Sequence, residues 1–201
     1  MSETDKQLLV GIDAGGSKTH IQVESARDRV LMVDKIIEST GWTNLNDVQR
    51  AGALLTLVEM ETARLGQVAV VIAGVHGNDN PQQEAALGAP LAQRYPLVRV
   101  LNDSHLLILA YGKHSGTGVI AGTGSSATAT VGDGVITVGG WGWIFGDEGG
   151  AAGIVRDATK QVLDLYDRGE ADPFATAFLS YFSVVHPHGL EQVFATVEPR
   201  V

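Results

Sequence analysis

The sequence predicts an α/β fold with a mixed sheet, followed by the start of a second, similar lobe. Three observations predict it. Three closely spaced strand patterns open the chain, and strand and helix patterns then alternate. After Gly112 a second set of short strand patterns appears, separated by glycine turns and followed only by helical patterns.

The elements follow in order. Residues 8–12 (LLVGI) are a short apolar run ending in Asp13-Ala14-Gly15-Gly16, as a buried strand entering a tight turn does. Residues 19–25 (THIQVES) alternate polar and apolar, and residues 29–37 (RVLMVDKII) read as a third strand after a turn at Arg27-Asp28. Short turns between three strands predict an antiparallel meander. Helical spacing takes over at 45–65, where Leu45, Val48, Ala51, Leu55, Val58 and Ala63 recur at three- and four-residue steps and Gly66 stands as a C-cap glycine. Residues 68–73 (VAVVIA) are a β-branched run suited to a strand covered on both faces. Pro81 opens a helix over 81–95, residues 97–101 (LVRVL) form a strand, and Asn102-Asp103 begins a helix over 103–111. The order β-β-β-α-β-α-β-α fits a ribonuclease-H-like lobe over residues 1–112.

The texture then changes. Fourteen of the 25 glycines lie between Gly112 and Gly153. Strands at 117–121, 126–131 and 135–138 are separated by glycine turns, with Asp133-Gly134 as a hairpin signal. Helices are expected at 151–168, 173–185 and 189–197. Residues 113–201 thus read as a partial second lobe, without later βαβ units.

Composition excludes several classes of function. Hydrophobic residues make up 44% and charged residues 18%, enough apolar material for a core. There is no cysteine, so disulfides, thiolate zinc sites, iron–sulfur clusters and cysteine nucleophiles are excluded. Fourteen Lys and Arg against 23 Asp and Glu give a net charge of −9. Without a local basic patch, such a surface repels nucleic acid and anionic lipid, so neither nucleic acid nor membrane is expected as a partner. The longest apolar run, about ten residues, is too short to span a bilayer. The polar, acidic N-terminus is unlike a signal peptide, and a soluble cytoplasmic protein is expected.

Four segments carry chemistry. In Asp13-Ala14-Gly15-Gly16-Ser17-Lys18-Thr19, paired glycines let backbone N–H groups approach an anion, and Ser17, Lys18 and Thr19 add hydroxyl and ammonium donors. Asp13 suits a hydrated Mg²⁺ carried with phosphate. The spacing is neither a Walker loop nor a dinucleotide fingerprint, and a plain hairpin turn is the alternative. Gly122-Thr123-Gly124-Ser125-Ser126 repeats the pattern, with Thr123 and Gly124 at its tip, and two such turns reinforce each other. Asp103, after a buried strand, suits a general base for a hydroxyl attacking a phosphoryl group, and equally a helix N-cap. Residues 139–150 set Trp141 and Trp143 among glycines ahead of Asp147 and Glu148. Ring faces cover sugar C–H groups and carboxylates accept from hydroxyls; the alternative has the tryptophans in the core and the acids at a helix start. Asp147 reads as a ligand contact and Glu148 as a helix-start acid. Asn44 either caps the first helix or reaches a substrate hydroxyl. The six histidines show no paired metal spacing and read as surface or satisfied residues.

Together, GIDAGGSKT (11–19), TGWTN (40–44), AGVHG (73–77), LNDSH (101–105), AGTGSSA (121–127) and GGWGWIFGDEGGAAG (139–153) resemble the N-acetylglucosamine kinase and BadF/BadG-type ATPase family of the actin/hexokinase/Hsp70 superfamily. The resemblance implies an actin-like ATPase fold, ATP with Mg²⁺, and phosphorylation of the 6-hydroxyl of N-acetylglucosamine or glucosamine. It implies phosphate contacts at Ser17 and Thr123. It implies a sugar site of Asn44, Asp103, Ser125, Ser126, Gly140, Trp141, Gly142 and Asp147, with Asp103 as base. A homodimer is one assembly compatible with it. Vertebrate-like members carry Asn where Ser126 stands and His where Trp143 stands. Family members also continue past residue 201 with an adenosine motif, so the chain is expected to be a truncated piece. A non-catalytic sugar- or nucleotide-binding domain is the other reading. Absence of cysteine sets aside the iron–sulfur activators and the zinc-bearing ROK kinases of the superfamily.

Overall fold

The structure, a computed structural model, describes residues 7–39, 42–78, 80–132 and 134–196. By its internal contacts the chain divides into two compact units. Among the described residues, one comprises those up to Val119 together with Ala127–Thr137; the other comprises Ile120–Ser126 together with those from Val138 onward.

The first unit holds β1 (Gln7–Ala14), β2 (Lys18–Ser25), β3 (Leu31–Glu38), α1 (Asp47–Thr62), β4 (Gln67–Val75), α2 (Pro81–Arg94), β5 (Leu97–Asn102) and α3 (Asp103–Ala110). The strands form one mixed sheet in the order β3-β2-β1-β4-β5. The meander pairs antiparallel, Val10 opposite Val23 and Val23 opposite Val33. β4 then lies parallel to β1, and β5 parallel to β4. The carboxyl ends of β1, β4 and β5 therefore stand side by side, with β4 in the middle.

Strand alternation puts Leu8, Val10, Ile12 and Ala14 of β1 on one buried face. Val71, Ala73 and Val75 of β4 join them, with Leu54 and Val58 of α1 and Leu87 and Leu91 of α2. Each such aliphatic side chain contributes roughly 1.5–3 kcal/mol when fully buried.

Helix α1 corrects three expectations. Its buried positions are Ala51, Leu54, Val58 and Thr62, while Val48 is exposed. The apolar residues on this helix exceed what its core face needs, so the three- and four-residue steps fit more than one face. Its N-cap is Asn46, which shares a capping box with Gln49, so Asn44 does not cap it. Its C-cap is Ala63, and Gly66 lies beyond, at the entry to β4.

A three-stranded sheet, β6 (Thr117–Ala121), β7 (Ser125–Val131) and β8 (Gly134–Gly139), runs in the order β6-β7-β8. Asp133 of the expected hairpin signal lies outside the described residues, as do Thr40 and Gly41. The second unit carries α4 (Ala151–Asp167), α5 (Pro173–Tyr181) and α6 (Gly189–Thr196). Helix α5 is shorter than expected, because the chain turns left-handed at Ser183 (φ 57°). The expected end of the last helix at residue 197 lies outside the described residues. No helix among the described residues is long and apolar enough to cross a membrane.

Candidate active site

In parallel α/β sheets, ligands bind beyond the carboxyl ends of the strands. Here those ends carry Asp13 on β1, His76 just past β4, and Asn102 and Asp103 at the junction of β5 and α3. Three neighbouring strands thus bring together residues spread over some ninety positions of sequence.

The cap of α3 is Asn102, whose Oδ1 accepts from Ser104 N–H at 2.9 Å. Asp103 is the first helical residue. Its Oδ1 also accepts from Ser104 N–H, at 2.9 Å. Its Oδ2 lies 3.6 Å from His76 Nδ1, and its side chain is only 11% exposed. The capping role left open for Asp103 is filled next door, and its second oxygen faces the strand ends.

Asp13 has solvent on one side. Even so, desolvation by the surrounding protein, and then the nearby Asp103 carboxylate, raise its carboxyl above the ordinary range, against the opposing pull of His20. A cation brought to this point would relieve that repulsion.

The β1–β2 turn closes where Gly15 N–H donates to the Lys18 carbonyl at 2.9 Å. Gly15 therefore shapes the turn with its amide engaged, and Gly16, Ser17 and Lys18 form its tip; Thr19 is not an available donor, because it is buried with its hydroxyl bonded to Ser39 Oγ at 2.6 Å. A Cβ on Gly16 would stand 3.4 Å from Cδ2 and 3.6 Å from Nε2 of His76. The turn is a cradle that a side chain would fill. Asn44 ends a short 3-10 turn, Trp42–Asn44, and is exposed. Its neighbour Trp42 is buried, with Arg50 placed over its ring at 6.0 Å.

In the second unit, the turn 122–124 closes between Gly122 N–H and the Gly124 carbonyl at 2.9 Å. It also caps α4. Gly150, the N-cap, has no side chain to offer, and Ala151 and Ala152 N–H groups donate instead to the Gly122 and Thr123 carbonyls, at 2.8 and 3.2 Å. So Gly150 is needed for contact: a Cβ there would stand 2.5 Å from the Gly124 backbone carbonyl carbon. Thr123 is exposed at the tip.

Asp147 is buried and left-handed (φ 63°), in a conformation Asp tolerates at a cost of about 1–2 kcal/mol. Its Oδ1 is buried with no partner among the described residues. A Cβ on Gly124 would stand 2.5 Å from its Oδ2. Strain and an orphaned buried acceptor together make Asp147 a candidate ligand contact. Around it, Gly140 N–H donates to the Ser125 carbonyl at 2.8 Å, and Gly149 N–H to Ser125 Oγ at 3.3 Å. Ser126 packs against Gly139 and Gly140. Gly140 and Gly142 both hold positive φ.

Two alternatives fall here. Trp141 is 76% exposed and Trp143 38%, so neither is a core residue. No acid stands in the first turn of α4, so Glu148, exposed ahead of that turn, is not a helix-start acid.

In the first unit the donor set fits a phosphate-bearing ligand: the narrow Gly15-Gly16 turn, and a carboxylate, Asp13, whose charge calls for a counter-cation. No cluster of three metal-ligating side chains exists among the described residues. Asp13 is the carboxylate that could hold a Mg²⁺ arriving with phosphate oxygens.

The five-stranded mixed sheet, with acids and a glycine turn at its carboxyl end, has the fold seen in sugar kinases and actin-like ATPases. The chain belongs to the BadF/BadG/BcrA/BcrD ATPase family, whose description matches residues 10–187. It is 30% identical, over 177 residues, to an N-acetylmuramic acid/N-acetylglucosamine kinase of Clostridium acetobutylicum. That match takes in 82% of this chain and 56% of the relative, so the chain spans about half the length of the curated relative. Two crystal structures provisionally described as N-acetylglucosamine kinases share the fold. The one from Chromobacterium violaceum has a TM-score of 0.71 at 19% identity, over 98% of this chain and 70% of that one. The one from Porphyromonas gingivalis has a TM-score of 0.63 at 19% identity, over 96% of this chain and 68% of that one.

Proposed function

We propose that this chain belongs to an ATP-dependent kinase that phosphorylates the 6-hydroxyl of an amino sugar, N-acetylglucosamine or glucosamine. The carrying observation is Asp103: a largely buried carboxylate, held on one oxygen by Ser104 N–H, beside Asp13 and the Gly15-Gly16 turn. Kinship to a curated amino-sugar kinase supports the substrate class.

Asp103 Oδ2 accepts the proton as the sugar O–H bond breaks. The hydroxyl oxygen forms its new bond to the γ-phosphorus, and the bridging P–O bond breaks with its electrons left on ADP. Gly16, Ser17 and Lys18 hold phosphate oxygens at the first turn, and Thr123 and Gly124 at the second. Asp13 would hold the Mg²⁺, which would neutralise phosphate charge when bound. Asn44, Ser125, Ser126, Gly140, Trp141, Gly142 and Asp147 bind the sugar, with Asp147 Oδ1 accepting from a hydroxyl and the Trp141 face covering ring C–H groups.

The other reading is a sugar- or nucleotide-binding domain without turnover. A coupled ADP-release assay over amino sugars and hexoses separates the two. Sugar-dependent release that is highest with an amino sugar supports the kinase. Saturable sugar binding with no release supports the binding domain.

A further inference from the structure

The histidine at the end of β4 is absorbed by none of these roles, and it stands between two of them. β4 separates β1 from β5, so His76 lies between the glycine turn and Asp103. Its backbone is fixed there, because His76 N–H donates to the Ala14 carbonyl at 2.8 Å. Its ring presents two different edges. Nδ1 faces Asp103 Oδ2 at 3.6 Å. The Cδ2–Nε2 edge faces Gly16, 3.4 to 3.6 Å from where a Cβ would stand. The side chain is 44% exposed.

We propose that His76 is a positioning residue that ties the base to the phosphate turn: Nδ1–H steadies the free oxygen of Asp103, while the Nε2 edge borders the phosphate cradle at Gly16. This rests on the reading of Asp103 as base. Asp103 Oδ1 is already held by Ser104 N–H. Rotation about the Cβ–Cγ bond is the freedom left to the carboxylate, and a donor at Oδ2 removes it. The separation is a few tenths of an ångström beyond a hydrogen bond, as catalytic contacts often are before substrate draws them closed. Glycine at position 16 leaves room for the ring, and His76 narrows the cradle that the missing Cβ opens.

The amide side chains separate the two edges. Asn places its N–H₂ where Nδ1 stands, and Gln places its own where Nε2 stands. His76→Ala should lower kcat roughly tenfold or more, since small misplacements of reacting groups can cost up to ~10²-fold. His76→Asn should recover most of kcat with a raised KM for ATP. His76→Gln should keep the KM for ATP but not recover kcat. An unchanged kcat in His76→Ala, or equal rescue by Asn and Gln, overturns the proposal.

Imidazole nitrogen NMR on ¹⁵N-histidine-labelled protein, without nucleotide, gives a readout independent of turnover. Asp103→Asn should shift the His76 Nδ1 resonance, and inorganic phosphate should shift Nε2. If Asp103→Asn leaves Nδ1 unmoved, the proposal fails whatever the enzyme does. If Nδ1 moves but wild type shows no sugar-dependent ADP release, the pairing stands and the kinase reading fails.

Discussion

Asp103 and its surroundings set the residue-scale expectations. Asp103→Asn keeps the shape and the bond from Ser104 N–H but takes up no proton. Its kcat should fall by roughly 10²-fold or more, within the ~10²–10⁴ that general-base catalysis contributes. Because Asn102 supplies the cap, thermal unfolding should barely change. Asp13 yields a pH prediction. Its folded pKa is raised above the ordinary 3.8, so the folded state binds the proton more tightly than the unfolded chain. Stability from this group is therefore lost as pH rises from 3.8 through the folded value. Asp13→Asn should melt close to wild type at about pH 4 and progressively above it towards about pH 7, while losing Mg²⁺-dependent turnover. Melting curves in which the variant's advantage shrinks with rising pH would contradict this. These residues were legible to different degrees. Asp13 and Asp103 stand out because each ends an apolar strand pattern. His76 does not, because a lone histidine carries no spacing signal and gains meaning only when β4 lands between β1 and β5. Nor does any sequence pattern reveal the left-handed backbone of Asp147 or its orphaned oxygen.

At the scale of elements, glycines decide how closely segments approach. Gly74 of β4 faces α3, where a Cβ would collide with the Leu106 side chain and stand 3.1 Å from the Asp103 Cα. Gly74→Ala should push α3 outward and carry Asp103 with it. Overpacking of this kind typically costs about 1–3 kcal/mol, and kcat should fall although no catalytic group is altered. Denaturant unfolding beside steady-state kinetics checks both; full stability with full activity would mean that α3 adjusts without moving Asp103. The 139–153 segment yields a second test. Tryptophan emission should respond to N-acetylglucosamine through exposed Trp141, and Asp147→Ala should weaken sugar binding by roughly 10–150-fold, the worth of about 1.5–3 kcal/mol. A response that survives Asp147→Ala undiminished would remove that carboxylate from the site. Sequence patterns place most elements here and misplace their edges. Asn44 and Asn46 are both acceptable caps on paper, and only the 3-10 turn at Trp42 moves the start of α1 to Asp47. The glycines at 150 and 153 stand in the sequence only as members of a glycine-rich motif, yet both are needed for backbone packing around α4, against Gly124 and Asp147.

For the whole molecule, the element order alone reaches the fold. Three strands followed by alternating helix and strand leave few ways to build one sheet, and the observed order β3-β2-β1-β4-β5 is one of them. What the molecule does depends on whether this site transfers phosphate to a sugar. The most direct measurement is ³¹P NMR of the products after incubation with ATP, Mg²⁺ and N-acetylglucosamine or glucosamine. The account predicts a new phosphomonoester signal split by two methylene protons, the mark of phosphate on the 6-oxygen, absent without sugar and nearly absent with Asp103→Asn. A phosphomonoester split by a single proton, inorganic phosphate released without regard to sugar, or a 6-phosphate formed equally well by Asp103→Asn would contradict it.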